Sequence, residues 1–156
     1  MKRDTLIVAG VIAAIVLAIL AASVLCTAAI ANGASMKWRL LFRLICHGNP
    51  QRCLYLWGVP MPICARCTAI YAGALFSLLA FPLLPRVNEL VARWSMYVLA
   101  TPMAIDGLTQ LTTLRESTNS LRIATGSIAG AAFVFWALTA VETQRSEAAE
   151  HVDSIS

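Results

Sequence analysis

Four cysteines, Cys46, Cys53, Cys64 and Cys67, fall in one short stretch of the chain, and His47 directly follows the first. The pattern is Cys46-His47-x5-Cys53-x10-Cys64-x2-Cys67. A Cys-x2-Cys pair brings two sulfurs close enough to hold one metal ion or to form a disulfide. Zinc takes four N or S ligands in a tetrahedron, and iron–sulfur clusters take mainly thiolates. The four cysteines can supply such a set, and so can Cys46, His47, Cys64 and Cys67. Neighbouring Cys46 and His47 point in different directions, which works against both binding one ion. The plainer alternatives are structural disulfides or small buried apolar residues. Four thiols in one loop exceed what packing needs, so a metal-thiolate or thiol-redox site is the leading expectation. Cys26, inside an apolar run, reads as packing alone.

A second group is ionic and amide. Asp106 and Gln110 are four residues apart, hence on one helix face, and Pro102 lies one turn earlier. Asn119 and Arg122 follow the next loop, and Arg122 is the natural partner for Asp106 across that hairpin. Arg66, inside the Cys-x2-Cys, brings a positive charge beside two thiols, where it can favour thiolate, bind an anionic head group or anchor a helix end. Tyr71 is one turn beyond Cys67, on the same face. An alternative chemistry uses Arg52, Arg66 and Arg122 to grip a lipid or phosphate anion, with Asp106 as general base. No G-x-S-x-G nucleophile motif is present to fix a reaction class. A non-enzymatic scaffold subunit is the third reading. Gly126-x3-Gly130 reads as helix packing.

These residues are positioned by long apolar runs. Apolar residues make up 59% of the 156-residue chain and charged residues 13%. Soluble domains carry about 25% charged residues, so this chain is too poor in charge to cover a water-facing surface. One run covers 6–31, with no charge between Thr5 and Met36. It is too long for a secretory h-region of about 7–15 residues, so a retained helix is expected rather than a signal peptide. Further runs cover 67–85, 94–114 and 123–141. The stretch 36–46 carries Trp38, Leu41, Phe42 and Ile45 at helical spacing among Lys37, Arg39 and Arg43, which predicts an amphipathic interfacial helix. Gly48, Pro50, Gly58, Pro60 and Pro62 predict an irregular loop around the cysteines. The tail 143–156, with His151, is expected to be mobile and solvated.

The expected fold is therefore a single all-α membrane domain of about four transmembrane helices, with the interfacial helix and a Cys-rich loop. An even number of spans puts the first and third loops on one face. The cysteines, Asp106, Gln110, Asn119 and Arg122 should then share one polar pocket. Of the twelve Lys and Arg, seven fall on that face and five on the other, a slight bias placing the first loop in the cytoplasm. The pI near 9.0 does not point to nucleic acid, because the basic residues are scattered at the edges of apolar runs.

Three blocks in order resemble the signatures of a family of small predicted membrane proteins, domain of unknown function twenty eighty-five. The first is Cys46-His47, Pro50, Arg52 and Pro62 to Gly73, including Cys64-Ala65-Arg66-Cys67-Thr68. The second is Pro102 to Gln110, and the third is Asn119, Arg122, Thr125, Gly126 and Gly130. The resemblance covers about 41–132. Ala69 stands where the family usually has Gly, and Cys53 where it usually has Ser, which makes Cys53 the weakest candidate ligand. The resemblance implies a multi-pass protein of a bacterial or archaeal inner membrane, and it implies no activity. Zinc or an iron–sulfur cluster as cofactor, and the bilayer and an anionic lipid as partners, are the expectations that remain.

Overall fold

The computed structural model describes residues 3–111 and 117–153, with side chains described up to Gln110 and from Ser117 to Ala148. Helix α1 covers Arg3–Ala31. A 3₁₀ helix, Met36–Leu44, follows, then a short one at Pro50–Arg52. Strands β1 (Cys53–Leu56) and β2 (Val59–Cys64) form an antiparallel hairpin. Helix α2 covers Ala65–Ala80 and continues as a 3₁₀ turn, Phe81–Leu83. Helices α3 (Glu89–Leu111) and α4 (Asn119–Asp153) complete the chain. The end of the third apolar run, Thr112 to Leu114, and Arg115 lie outside the described residues, as does Lys2.

The fold is mostly helical, but it is not all-α. The cysteine segment expected to be an irregular loop is a β-hairpin. Trp57 and Gly58 both take positive φ, 51° and 75°, the two-residue turn whose twist matches paired strands. Pro60 and Pro62 argued against a strand because proline cannot donate to a ladder. Two residues apart on one strand, they direct their ring nitrogens to the same outer side, so pairing with β1 survives. The amphipathic stretch also differs from expectation: it is 3₁₀ rather than α, and it ends at Leu44 rather than 46. Side chains three apart eclipse in a 3₁₀ helix, which turns Arg39 and Phe42 inward together. Phe42 packs with Cys46, Met61 and Ile63. Arg39 donates through Nη2 to the carbonyls of Gly48 at 3.1 Å and Met61 at 3.0 Å.

Arg39 is thus a clasp between the 3₁₀ helix and the hairpin. Arg39→Ala should destabilise the protein by about 2 kcal/mol, since hydrogen bonds from a charged donor are worth more than neutral ones. Thermal melting in detergent, followed by circular dichroism, reads this out. An unchanged midpoint would mean that the two carbonyls find water at no cost.

Three helices are long and apolar enough to cross a membrane: Arg3–Ala31, Ala65–Leu83 and Asn119–Ala148. Helix α3 has 23 residues, about 35 Å of rise, but Glu89, Arg93 and Asp106 lower its apolar content. Pro102 lies inside α3 without ending it. The span boundaries shift from those expected: α1 and α4 begin earlier, α2 with its 3₁₀ turn keeps its length but lies two residues earlier, and α3 begins at Glu89 and is described to Leu111. In particular, α4 runs through the segment expected to be a mobile tail, because Glu, Gln, Arg and Ala there are good helix formers. Arg145 on that extension pairs with Asp4 of α1, and Arg86 Nε donates to Glu142 Oε2 at 2.8 Å. The side chain of His151 is outside the described residues.

Packing centres on α2 against α4. Gly126 and Gly130 of α4 meet the backbone of α2 at Arg66 and Ile70, and Gly73 of α2 meets the backbone of α4 at Ser127. Small residues let backbones approach in a bundle where lipid removes the hydrophobic drive for association. A core of Val16, Ala74, Phe81, Val134 and Leu138 joins α1, α2 and α4. Outward, α1 exposes Leu6, Ile7, Val11, Ile15 and Leu25, and α3 exposes Val91, Val98, Leu99, Ile105 and Leu108. An apolar surface of that extent suits hydrocarbon and not water.

Candidate functional site

The site is assembled where β2 runs into α2. Cys46 follows the first 3₁₀ helix, its N–H bonded to the Phe42 carbonyl at 2.8 Å. The chain then turns at Gly48, whose φ is +61° and where a Cβ would stand 3.1 Å from the Pro62 carbonyl oxygen. Asn49 caps the short 3₁₀ turn, its Oδ1 accepting from Gln51 N–H at 3.1 Å. This brings Cys46 back against Cys64, the last residue of β2 and the N-cap of α2. Cys64 N–H donates to Cys46 Sγ at 3.2 Å, and Cys67 N–H to Cys64 Sγ at 3.5 Å. The sulfurs of Cys46, Cys64 and Cys67 all lie within 4.8 Å of one another.

This triad is part of the set expected from the sequence. Cys53 is fully buried but stands apart, its thiol donating to the Asn49 carbonyl at 3.1 Å, with Arg39 Nη2 at 3.7 Å. His47 is exposed and outside the group of three sulfurs, though it lines the same cavity. The Cys46 thiol is held below its usual range. The Cys64 and Cys67 thiols donate to it, burial opposes, and the N–H groups of Cys64 and Gly48 add to the effect. Burial pushes Cys53 the other way, up to about 11, against the pull of Arg39. One thiol of the triad is thus readied as an anion, while Cys53 stays a neutral thiol.

The polar residues of α3 and α4 come to the same place. A cavity of about 260 Å³ is walled by Cys46, His47, Cys64, Cys67, Arg52, Arg66, Gln110 and Arg122, among others. Asp106 is buried beside it. The partner of Asp106 is not Arg122, as the hairpin argument expected, but Arg66 of α2. Gln110 explains the rearrangement: its Nε2 donates to Asp106 Oδ2 at 2.9 Å, and its Oε1 accepts from Arg122 Nη2 at 3.2 Å. Arg122 Nη1 donates to Asn119 Oδ1 at 2.9 Å. The chain of contacts is Arg66, Asp106, Gln110, Arg122, Asn119, so one amide spans the distance between Asp106 and Arg122. Gly107 lies against Arg66, whose Nη1 would be in ordinary contact, 3.6 Å, with a Cβ there. Tyr71 does not line this cavity and packs one turn deeper, between the two apolar clusters.

Sequence reasoning missed Arg39. In the amphipathic stretch it looks like one more surface cation, and nothing local marks its turn toward the Gly48 carbonyl.

Comparison with known proteins fits this arrangement. Residues 46–136 match the model of a family described as predicted membrane protein (DUF2085). The chain belongs to the DUF2085 family. The matched stretch begins at the first sulfur of the triad and takes in every residue of the polar chain. An uncharacterized protein of Methanocaldococcus jannaschii is 42% identical over 100 residues, which is 63% of this chain and 64% of that protein. Another, from Methanothermobacter thermautotrophicus, is 43% identical over 89 residues, which is 57% of this chain and 80% of that protein. The chain thus spans somewhat under two thirds of the first relative. No solved structure matches. Within the matched stretch Gly126 of α4 faces Ala69 of α2, and a Cβ on Gly126 would lie 3.1 Å from Ala69 Cβ.

Proposed function

We propose that Cys46, Cys64 and Cys67 bind one zinc ion at a membrane face, with a fourth coordination position open to the cavity. The observation that carries this is the clustering of three sulfurs from two separate segments within 4.8 Å. Zinc–sulfur bonds of about 2.3 Å put sulfurs about 3.8 Å apart in a tetrahedron, so a small contraction suffices. Three protein ligands and an open position characterise reactive zinc, whereas structural zinc is closed by four. His47, on the cavity wall, is a candidate to close it. Three thiolates around a divalent ion leave one negative charge, which Arg66, Arg122 and Arg52 offset. An iron–sulfur cluster is less well served, since Cys53 is engaged with Asn49.

Asp106 then has a positioning role. Its Oδ2 takes both Arg66 and Gln110, which leaves it poorly placed as a general base. The membrane setting of this reading is a multi-pass protein of the cell membrane, with α3 as a fourth span. Trp94 and Tyr97 near the start of α3 suit one interface, and Trp38, Tyr55 and Trp57 near the cysteines suit the other.

Elemental analysis and an absorption spectrum of anaerobically purified protein test the reading. About one zinc per chain is expected, lost in Cys64→Ser and Cys67→Ser and kept in Cys53→Ser. Visible absorption with several irons per chain, or stable metal-free protein, would overturn it. So would zinc that depends on Cys53.

A further inference from the structure

Deeper along the helices than the polar cavity lies an apolar cavity of about 360 Å³. Cys67 walls the first and Tyr71, one turn on along α2, walls the second. Gln110 and Met103 stand two turns apart on α3, and Arg122 and Ala129 two turns apart on α4. At 1.5 Å per residue the nearest walls of the two spaces on α3 and α4 lie roughly 10 Å apart along the helix axes. The lower space exists because α3 packs chiefly on α4, leaving a slot toward α1 and α2.

The upper cavity is cationic. Arg52, Arg66 and Arg122 line it, and no acidic side chain does among the described residues. Arg122 is only 5% exposed, yet its side-chain partners among the described residues, Asn119 and Gln110, are both neutral. Among the described residues its Nε has no hydrogen-bond partner, and neither has Nε of Arg66. The nearby carboxylate, Asp106, is already taken by Arg66. A buried guanidinium with neutral partners is costly until a counter-charge arrives, and its fork suits phosphate oxygens.

We propose that the two cavities form one site for an anionic lipid, with its phosphate head at Arg66 and Arg122 and a hydrocarbon chain in the slot beside Tyr71 and Met103. A free phosphate would satisfy the arginines but leave the slot unused. A neutral lipid would fill the slot but leave Arg122 without a counter-charge. The proposal rests on the arginines and the slot, and it stands whether or not the sulfurs hold zinc.

The test titrates delipidated full-length protein in non-ionic detergent with four probes: dioctanoyl phosphatidic acid, dioctanoyl phosphatidylcholine, dioctanoylglycerol and inorganic phosphate. Both zinc-loaded and chelator-treated protein are used, which separates failure of the metal reading from failure of this one. Phosphatidic acid should bind at least about tenfold more tightly than each of the other three. Arg122→Gln should weaken it by about tenfold or more, and Arg52→Gln, placed on the cavity wall, tests the head site should Arg122→Gln not fold. Met103→Trp, which fills the slot, should weaken phosphatidic acid and leave inorganic phosphate unchanged. Phosphate binding as tightly as the lipid would reduce the site to one for free anions and overturn the proposal. Equal binding of phosphatidylcholine and phosphatidic acid would overturn it as well, as would parental affinity in the folded arginine variants.

Discussion

Gly130→Leu is expected to leave a chain that enters the membrane but does not assemble its bundle. A Cβ on Gly130 would collide with the carbonyl of Ile70, and the obstacle is helix backbone, which cannot swing aside. Gly73 against Ser127 makes the reciprocal contact, and a Cβ on Gly126 would lie 2.8 Å from the Arg66 carbonyl oxygen. A leucine must therefore separate α2 from α4 along their whole contact. Lipid solvates apolar side chains as well as a neighbouring helix does, so nothing compensates for the lost packing. The loss should exceed about 4 kcal/mol, in the range reserved for gross overpacking. Because Gly126 lies against Arg66, the separation also carries Arg122 away from the cysteine cavity. The expected readout is loss of a cooperative melt and rapid proteolysis in detergent. Ile128→Leu, at an outward position on the same helix, should behave as the parent. A Gly130→Leu protein melting within a few degrees of the parent would show that the close approach is dispensable.

Arg66→Ala is expected to be the most damaging change within the polar chain. It leaves Asp106, whose side chain is 6% exposed, with Gln110 as its remaining side-chain partner among the described residues. Removing one member of a buried ion pair typically costs about 3–5 kcal/mol, mostly from the charge left behind. The double variant Arg66→Ala/Asp106→Asn should recover a large part of that loss, because it removes the orphaned charge. Arg66→Lys should recover less, since a single ammonium does not reproduce the guanidinium fork. A thermodynamic cycle over the two single variants and the double one measures the coupling. Additive effects would sink the assignment of Arg66 as the partner of Asp106 and restore Arg122 as the candidate.

The two changes differ in how far the sequence announces them. Gly126-x3-Gly130 reads directly as a packing motif, and it packs. The partner of Asp106 does not read out: proximity along the chain favours Arg122, twelve residues from Gln110, over Arg66, forty from Asp106. The separation that decides between them is the α2–α3 distance at the membrane face, which no local pattern encodes. The hairpin was hidden for another reason. Pro60 and Pro62 are strand breakers by type, and only their shared parity on an outer edge makes them harmless. The triad lies between these cases. Cys64 and Cys67 are adjacent by spacing alone, whereas the choice of Cys46 over Cys53 as third sulfur depends on the Gly48 turn and on the Arg39 clasp.

The sequence by itself determined that this chain lives in a membrane and belongs with the DUF2085 proteins. It also determined that its polar residues are too few and too clustered to be mere surface. Those conclusions need only run length, charge density and ordered motifs, which are properties of a chain read locally. The tertiary structure alone decided which three sulfurs meet, which arginine neutralises Asp106, and that an apolar slot opens beneath a cationic cavity. Each depends on how closely helices distant in sequence approach. Three glycines set that approach between α2 and α4, and nothing comparable closes α3 onto α2.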